Sequence, residues 1–200
     1  MVTNIQTEIS KNESLYFEKT SYGSQTLLEY ITSFLCPNNC SNNGNCTLGV
    51  CSCAEGFAGN DCSQSLSTPP LNLSLSSDGV CTLGTRACER TNVYGYFYST
   101  TIWSQLNHFE ILHSSIRHEL SEKIVIADYR NMFMISVRLR SSRRRRSTSQ
   151  NEIAEGYEIR LSNDGIHFGD SVTLIIYDEK CYMCNATTIS CTDLGICQSS

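Results

Sequence analysis

The sequence predicts a mainly β protein: a small disulfide-rich module followed by a β-sandwich, with a short N-terminal helix. Three observations carry this. Twelve cysteines occur in 200 residues, gathered in two groups with an aromatic-rich stretch between them. Within that stretch, short runs of β-branched and aromatic residues recur at strand length. Near the start, Leu27, Ile31, Phe34 and Leu35 recur at helical spacing behind Ser24, a suitable N-cap, which predicts a helix over 25–34.

The elements follow in order. Residues 1–35 are a polar segment carrying that helix. Residues 36–62 are rich in Cys, Gly and Asn and nearly free of apolar side chains. Residues 63–79 are Ser/Pro/Asn-rich and read as an extended linker through Thr68-Pro69-Pro70, although Leu71, Leu73 and Leu75 alternate as a first edge strand would. Residues 80–180 carry the β signals: Val93–Tyr98, Ile124–Asp128, Met132–Leu139, Tyr157–Leu161 and Val172–Tyr177. Phe133, Ile135, Val137 and Leu139 fall on one face of their run. Asn163-Asp164-Gly165 predicts a hairpin turn, because Gly accepts the positive φ such turns require. Short strands at this spacing argue for a sandwich. Leu106–Leu120 fits strand or helix. Residues 181–200 form a Cys-rich tail.

Cysteine density sets the compartment. An even, dense count belongs to oxidising surroundings, where disulfides replace a large core. Sequons stand at Asn12, Asn39, Asn45, Asn72 and Asn185. Cys in the middle of the second and third disfavours them, leaving Asn72 and Asn185 as expected glycan sites. No segment is apolar for the length a membrane span needs. The opening MVTNIQTEISKNESLYF has no basic start and apolar run, so it is not a secretory signal. An extracellular composition without one reads as a fragment of a longer chain.

The cysteines Cys36, Cys40, Cys46, Cys51, Cys53 and Cys62 are spaced C-x3-C-x5-C-x4-C-x-C-x8-C. A segment this short cannot fold on apolar burial alone. Cross-links, at about 2–4 kcal/mol each, stabilise it by restricting the unfolded chain. Gly56 and Gly59 allow tight turns, and Phe57 can pack on the disulfides. The spacing and the ending Cys51-Ser-Cys53-Ala-Glu-Gly56-Phe57-Ala-Gly59-Asn-Asp-Cys62 resemble an EGF-like domain of the compact tenascin type. That resemblance implies the pairing Cys36–Cys46, Cys40–Cys51 and Cys53–Cys62. It also implies where calcium-binding members carry oxygen ligands. Here those positions, Tyr30–Leu35 and Thr47–Val50, offer no carboxylate, so no calcium site is expected.

Val93-Tyr-Gly95-Tyr-Phe97 and Tyr157–Phe168 resemble parts of an IPT-type immunoglobulin-like domain. The run from Tyr157 through Ile176-Tyr177-Asp178 to Cys181-Tyr-Met-Cys184 is similar to a segment of von Willebrand factor D and EGF domain-containing extracellular proteins. It departs from them at Leu106-Asn107, where that family would place a cysteine. Cys81 and Cys88 suit a local bridge. Cys181, Cys184, Cys191 and Cys197 have loose zinc-like spacing, but the oxidising compartment favours disulfides among them.

The net charge of −5 hides an asymmetry: Arg138, Arg140, Arg143, Arg144, Arg145 and Arg146 lie close together in an otherwise acidic chain. The run Arg143–Arg146 admits three readings: a solvated loop, a cleavage site for a convertase with acidic subsites, or a patch for a sulfated polysaccharide. Compartment and acidity argue against nucleic acid, and none is expected as a partner. His108, His113 and His118, spaced five apart, and His167 make no metal motif, and Asp128, Asp164 and Asp178 read as turn or strand-end residues. No acid/base or nucleophile constellation is present, so no enzyme and no cofactor is expected. The expected function is a non-enzymatic segment of a matrix or cell-surface protein that contacts other extracellular proteins. The alternative is a receptor-binding ligand released by cleavage at the arginine run.

Overall fold

The computed structural model describes residues 35–84, 88–113, 115–119, 122–139 and 152–197. The helix expected over 25–34 lies outside them, as do Arg140 and the run Arg143–Arg146. The chain divides into two compact units, Met1–Ser65 and Leu66–Ser200.

The first unit is held by cross-links. Strand β1 (Gly44–Thr47) pairs antiparallel with β2 (Val50–Cys53), and β3 (Phe57–Ala58) with β4 (Gln64–Ser65). Cys36, Cys40 and Cys62 are its buried centre, with Cys51, Cys53 and Phe57 packed against them. Before β1 the chain makes a left-handed turn in which Asn38, Asn39, Cys40, Ser41 and Asn42 all have φ between 48° and 58°. Most residues resist this region, whereas Asn tolerates it. The Asn-rich composition therefore has a conformational cause. Gly56 and Gly59 sit at φ +86° and +94°, which side chains rarely adopt.

The second unit contains β5 (Ser74–Leu75), β6 (Val80–Thr82), β7 (Arg90–Tyr94), β8 (Trp103–Leu112), β9 (Ile116–His118), β10 (Lys123–Ile126), β11 (Asp128–Asn131), β12 (Met134–Arg138), β13 (Glu152–Ser162), β14 (Val172–Tyr177), β15 (Tyr182–Asn185) and β16 (Ser190–Asp193). One sheet runs β10-β8-β13-β14-β6, with β9 also on β8; the other runs β11-β12-β7-β5. All these pairings are antiparallel except β14 with β6. The core lies between the sheets. Val93, Ile135 and Val137 from one face Leu106, Ile159, Leu161, Leu174 and Ile176 from the other. Alternation along each strand puts one set of side chains inward and the other outward.

A second cluster covers the outer face of the larger sheet. Phe109, Ile111, Ala154, Ile175 and Tyr177 pack with Ala186, and Tyr182, Cys184, Ile189 and Cys191 lie against them. Phe109 needs a gap to lie in: a Cβ on Gly156 would run into its ring and come 2.8 Å from the Leu174 carbonyl oxygen.

Residues 63–79, read as an extended linker with an edge strand in its Leu71, Leu73, Leu75 alternation, contribute strands to both units. Gln64–Ser65 closes the first unit, Ser74–Leu75 is an edge strand beside β7, and Asn163 Nδ2 donates to the Thr68 carbonyl at 2.7 Å. Within the Cys-rich tail, the β15–β16 hairpin supplies apolar cover for β13 and β14. The ambiguous Leu106–Leu120 is strand throughout most of its length, as β8 and β9. Asn163-Asp164-Gly165 does turn the chain, with Gly165 at φ +78°, but the connection from β13 to β14 is longer than a tight hairpin.

Candidate interaction surface

The sequence-derived sites are distributed as follows. In the first unit the structure joins Cys36 to Cys46, Cys40 to Cys51 and Cys53 to Cys62. In the second it joins Cys81 to Cys88, Cys181 to Cys197 and Cys184 to Cys191. The sulfur atoms of Cys36, Cys40 and Cys51 lie close enough to surround an ion, yet each is already committed to a disulfide. The four C-terminal cysteines are likewise paired as disulfides rather than free thiolates. Asn72 and Asn185 are both exposed. Asn185 Oδ1 accepts from the amides of Thr187 and Thr188.

Asp164 organises a small polar cluster at the end of β13. Ser162 Oγ donates to Asp164 Oδ1 at 2.8 Å, and His167 Nδ1 lies 2.7 Å from Asp164 Oδ2. The carboxylate thus separates the hydroxyl from the imidazole, so the histidine cannot take the serine proton. Asp164 also accepts from the amides of Ile166 and His167. The His167 side chain first, then these amides, hold its carboxyl well below the usual carboxylate range. It is a loop organiser. Asp128 ion-pairs with Arg90, and Asp178 accepts from the Lys180 amide at 3.0 Å.

A surface that sequence reasoning missed lies at one end of the sandwich. Three connections converge there: 95–102 between β7 and β8, 132–133 between β11 and β12, and 163–171 between β13 and β14. Register fixes this, since Met134 is opposite Tyr94 and Ser162 is opposite Trp103. The first two connections are tied by backbone bonds from Gly95 N to Phe133 O and from Phe97 N to Met132 O, at 3.2 and 2.8 Å. Phe97 is buried beneath them, while Tyr96, Tyr98, Met132 and Phe133 are each about half exposed. Tyr96 meets Phe133 edge-on at 5.3 Å between ring centres. Ile166, 76% exposed, crowns the third connection, which rests through Gly165 on the Trp103 ring. From Thr91 to Asn107 the sequence has no charged residue. The first two connections are thus pinned, uncharged and aromatic, while the third carries Asp164, His167 and Asp170. The signal for this surface was available in Val93-Tyr-Gly-Tyr-Phe97-Tyr98, where tyrosines alternate with buried positions.

Residues 36–65 match the family model for a teneurin-like EGF domain. They therefore form an EGF-like module of a kind found in extracellular proteins. Teneurin-m of Drosophila melanogaster is 61% identical over 31 residues, which is 16% of this chain and 1% of that protein. Teneurin-3 of Danio rerio is 40% identical over 53 residues, 26% of this chain and 2% of that protein. The chain spans only a small part of these relatives' length. No solved structure matches it.

Proposed function

We propose that this chain is an adhesive segment of a multi-domain extracellular or cell-surface protein, and that it contacts another protein through the aromatic tip of its sandwich. The observation that carries this reading is the tip itself: large side chains half exposed yet held by backbone hydrogen bonds. Rigid tyrosine-rich loops supply contact area at low entropic cost. The uncharged loops 95–102 and 132–133 suit a neutral apolar patch on the partner protein, since no charged side chain in them would be desolvated. The EGF-like module acts as a compact spacer, stapled and without a carboxylate set for calcium.

The sandwich is read as immunoglobulin-type. The order β5-β7-β12-β11 follows the A-B-E-D sheet of that fold, and β8-β13-β14 follows C-F-G. On that reading the tip corresponds to the end where variable domains carry their binding loops. The disulfide across the sheets of antibody domains has no counterpart, and Cys81–Cys88 instead joins β6 to the chain entering β7.

The test is cell attachment to surfaces coated with the full chain, comparing wild type with Tyr96→Ala/Phe133→Ala. Attachment that falls at least severalfold in the double variant, with unchanged thermal unfolding, and that is abolished by protease treatment of the cells, supports the reading. Equal attachment of both proteins sinks it. Loss only after removal of sulfated polysaccharide would assign binding to Arg143–Arg146 instead.

A further inference from the structure

His108 sits on β8 with its side chain only 13% exposed. Its Nε2 lies 3.3 Å from Glu155 Oε2 on β13. Its Nδ1 lies 3.4 Å from Glu119 Oε1, on the residue that follows β9. The Glu119 amide also donates to the His108 carbonyl at 2.9 Å. Among the described residues, Glu110 on β8 also acts on it by charge and is paired with Arg117 on β9, whose Nε donates to Glu110 Oε2 at 2.8 Å. Tyr157 on β13 contributes a ring face, 5.0 Å from the imidazole.

We propose that His108 is a proton-operated clamp, which holds the β9 edge against the large sheet at mildly acidic pH and loosens it as pH rises.

The chemistry follows from the two faces of the ring. A neutral imidazole has one N–H and can serve one carboxylate, turning a lone pair toward the other. The imidazolium has two: Nε2 donates to Glu155, while Nδ1, which makes no hydrogen bond, turns its N–H and positive charge toward Glu119. Because the carboxylates stand on opposite nitrogens, one metal ion cannot take the place of the proton. Burial pushes His108 down. The Glu155 hydrogen bond, and the charges of Glu119, Glu155 and Glu110, outweigh it and leave the group above its ordinary value. A raised histidine stabilises fully below the unfolded value of about 6.5 and loses that contribution as pH passes its folded value. The clamp is thus closed in acidified compartments and weakened at alkaline pH. Opening would bare the backbone groups of β8 that β9 now satisfies.

Hydrogen exchange on the full chain tests this, with rates corrected for intrinsic pH dependence. The Glu119 amide and the β9 amides should exchange severalfold more slowly at pH 5.5 than at pH 8, while β14 amides change little. His108→Gln should abolish the difference. Equal protection at both pH values, or a difference that survives in the variant, overturns the proposal. Should the variant fail to fold, NMR titration of His108 in the wild type decides: a midpoint above that of an unstructured histidine supports the clamp, and one at or below it refutes the clamp.

Discussion

Asn39 sits at φ +49° within the left-handed turn that opens the EGF-like module. A β-branched residue there would meet the steric penalty that Asn avoids. Asn39→Val should destabilise the module by about 1–2 kcal/mol, whereas Asn39→Gly should be close to neutral. Denaturation followed by a probe within residues 36–65 measures both. Gly156 makes a different demand, for space rather than for φ. Gly156→Ala must displace Phe109 and should cost about 1–3 kcal/mol, read from urea unfolding of the sandwich. At this scale the sequence was partly legible. Gly56 and Gly59 announced tight turns and the Cys spacing announced a framework, whereas the left-handed turn over 38–42 was not read. His108 was not legible, because Glu155 stands 47 positions away and only strand pairing brings it near.

Strands with strong β formers were visible before the structure, and Val172–Tyr177 has the bounds its composition predicts. Strand β13 extends well before Tyr157. Glu152–Gly156 has weak intrinsic preference, and its strand state is imposed by pairing with β8 and β14. The alternating run 133–139 shows how context divides one face. Ile135, Val137 and Leu139 are buried, but Phe133 lies beyond the strand on the exposed tip. Ile135→Ala should therefore cost about 2–5 kcal/mol, and Phe133→Ala under about 1 kcal/mol, although alternation alone treats them alike. Paired chemical-denaturation curves check this.

For the whole molecule, the decisive feature is how covalent and non-covalent links are shared. Every disulfide joins cysteines on one side of the connection between β12 and β13. Strand β13 nevertheless lies between β8 and β14 within the larger sheet. Convertase cleavage after Arg146 should give two bands on a denaturing gel without reductant, yet one peak in native size-exclusion chromatography. Separate elution of the C-terminal piece would instead favour a released ligand. The division into a stapled module and a sandwich was legible from cysteine clustering and strand spacing. The packing of the C-terminal hairpin onto the sandwich was not, because its few apolar residues acquire meaning only opposite Phe109, Ile175 and Tyr177.

The central claim is an extracellular chain stapled by local disulfides in both units. Non-reducing peptide mapping after alkylation tests it most directly. The account predicts no alkylated cysteine and six linked pairs, three within residues 36–62 and three within 81–197. Alkylation of all 12 cysteines without reductant would contradict it.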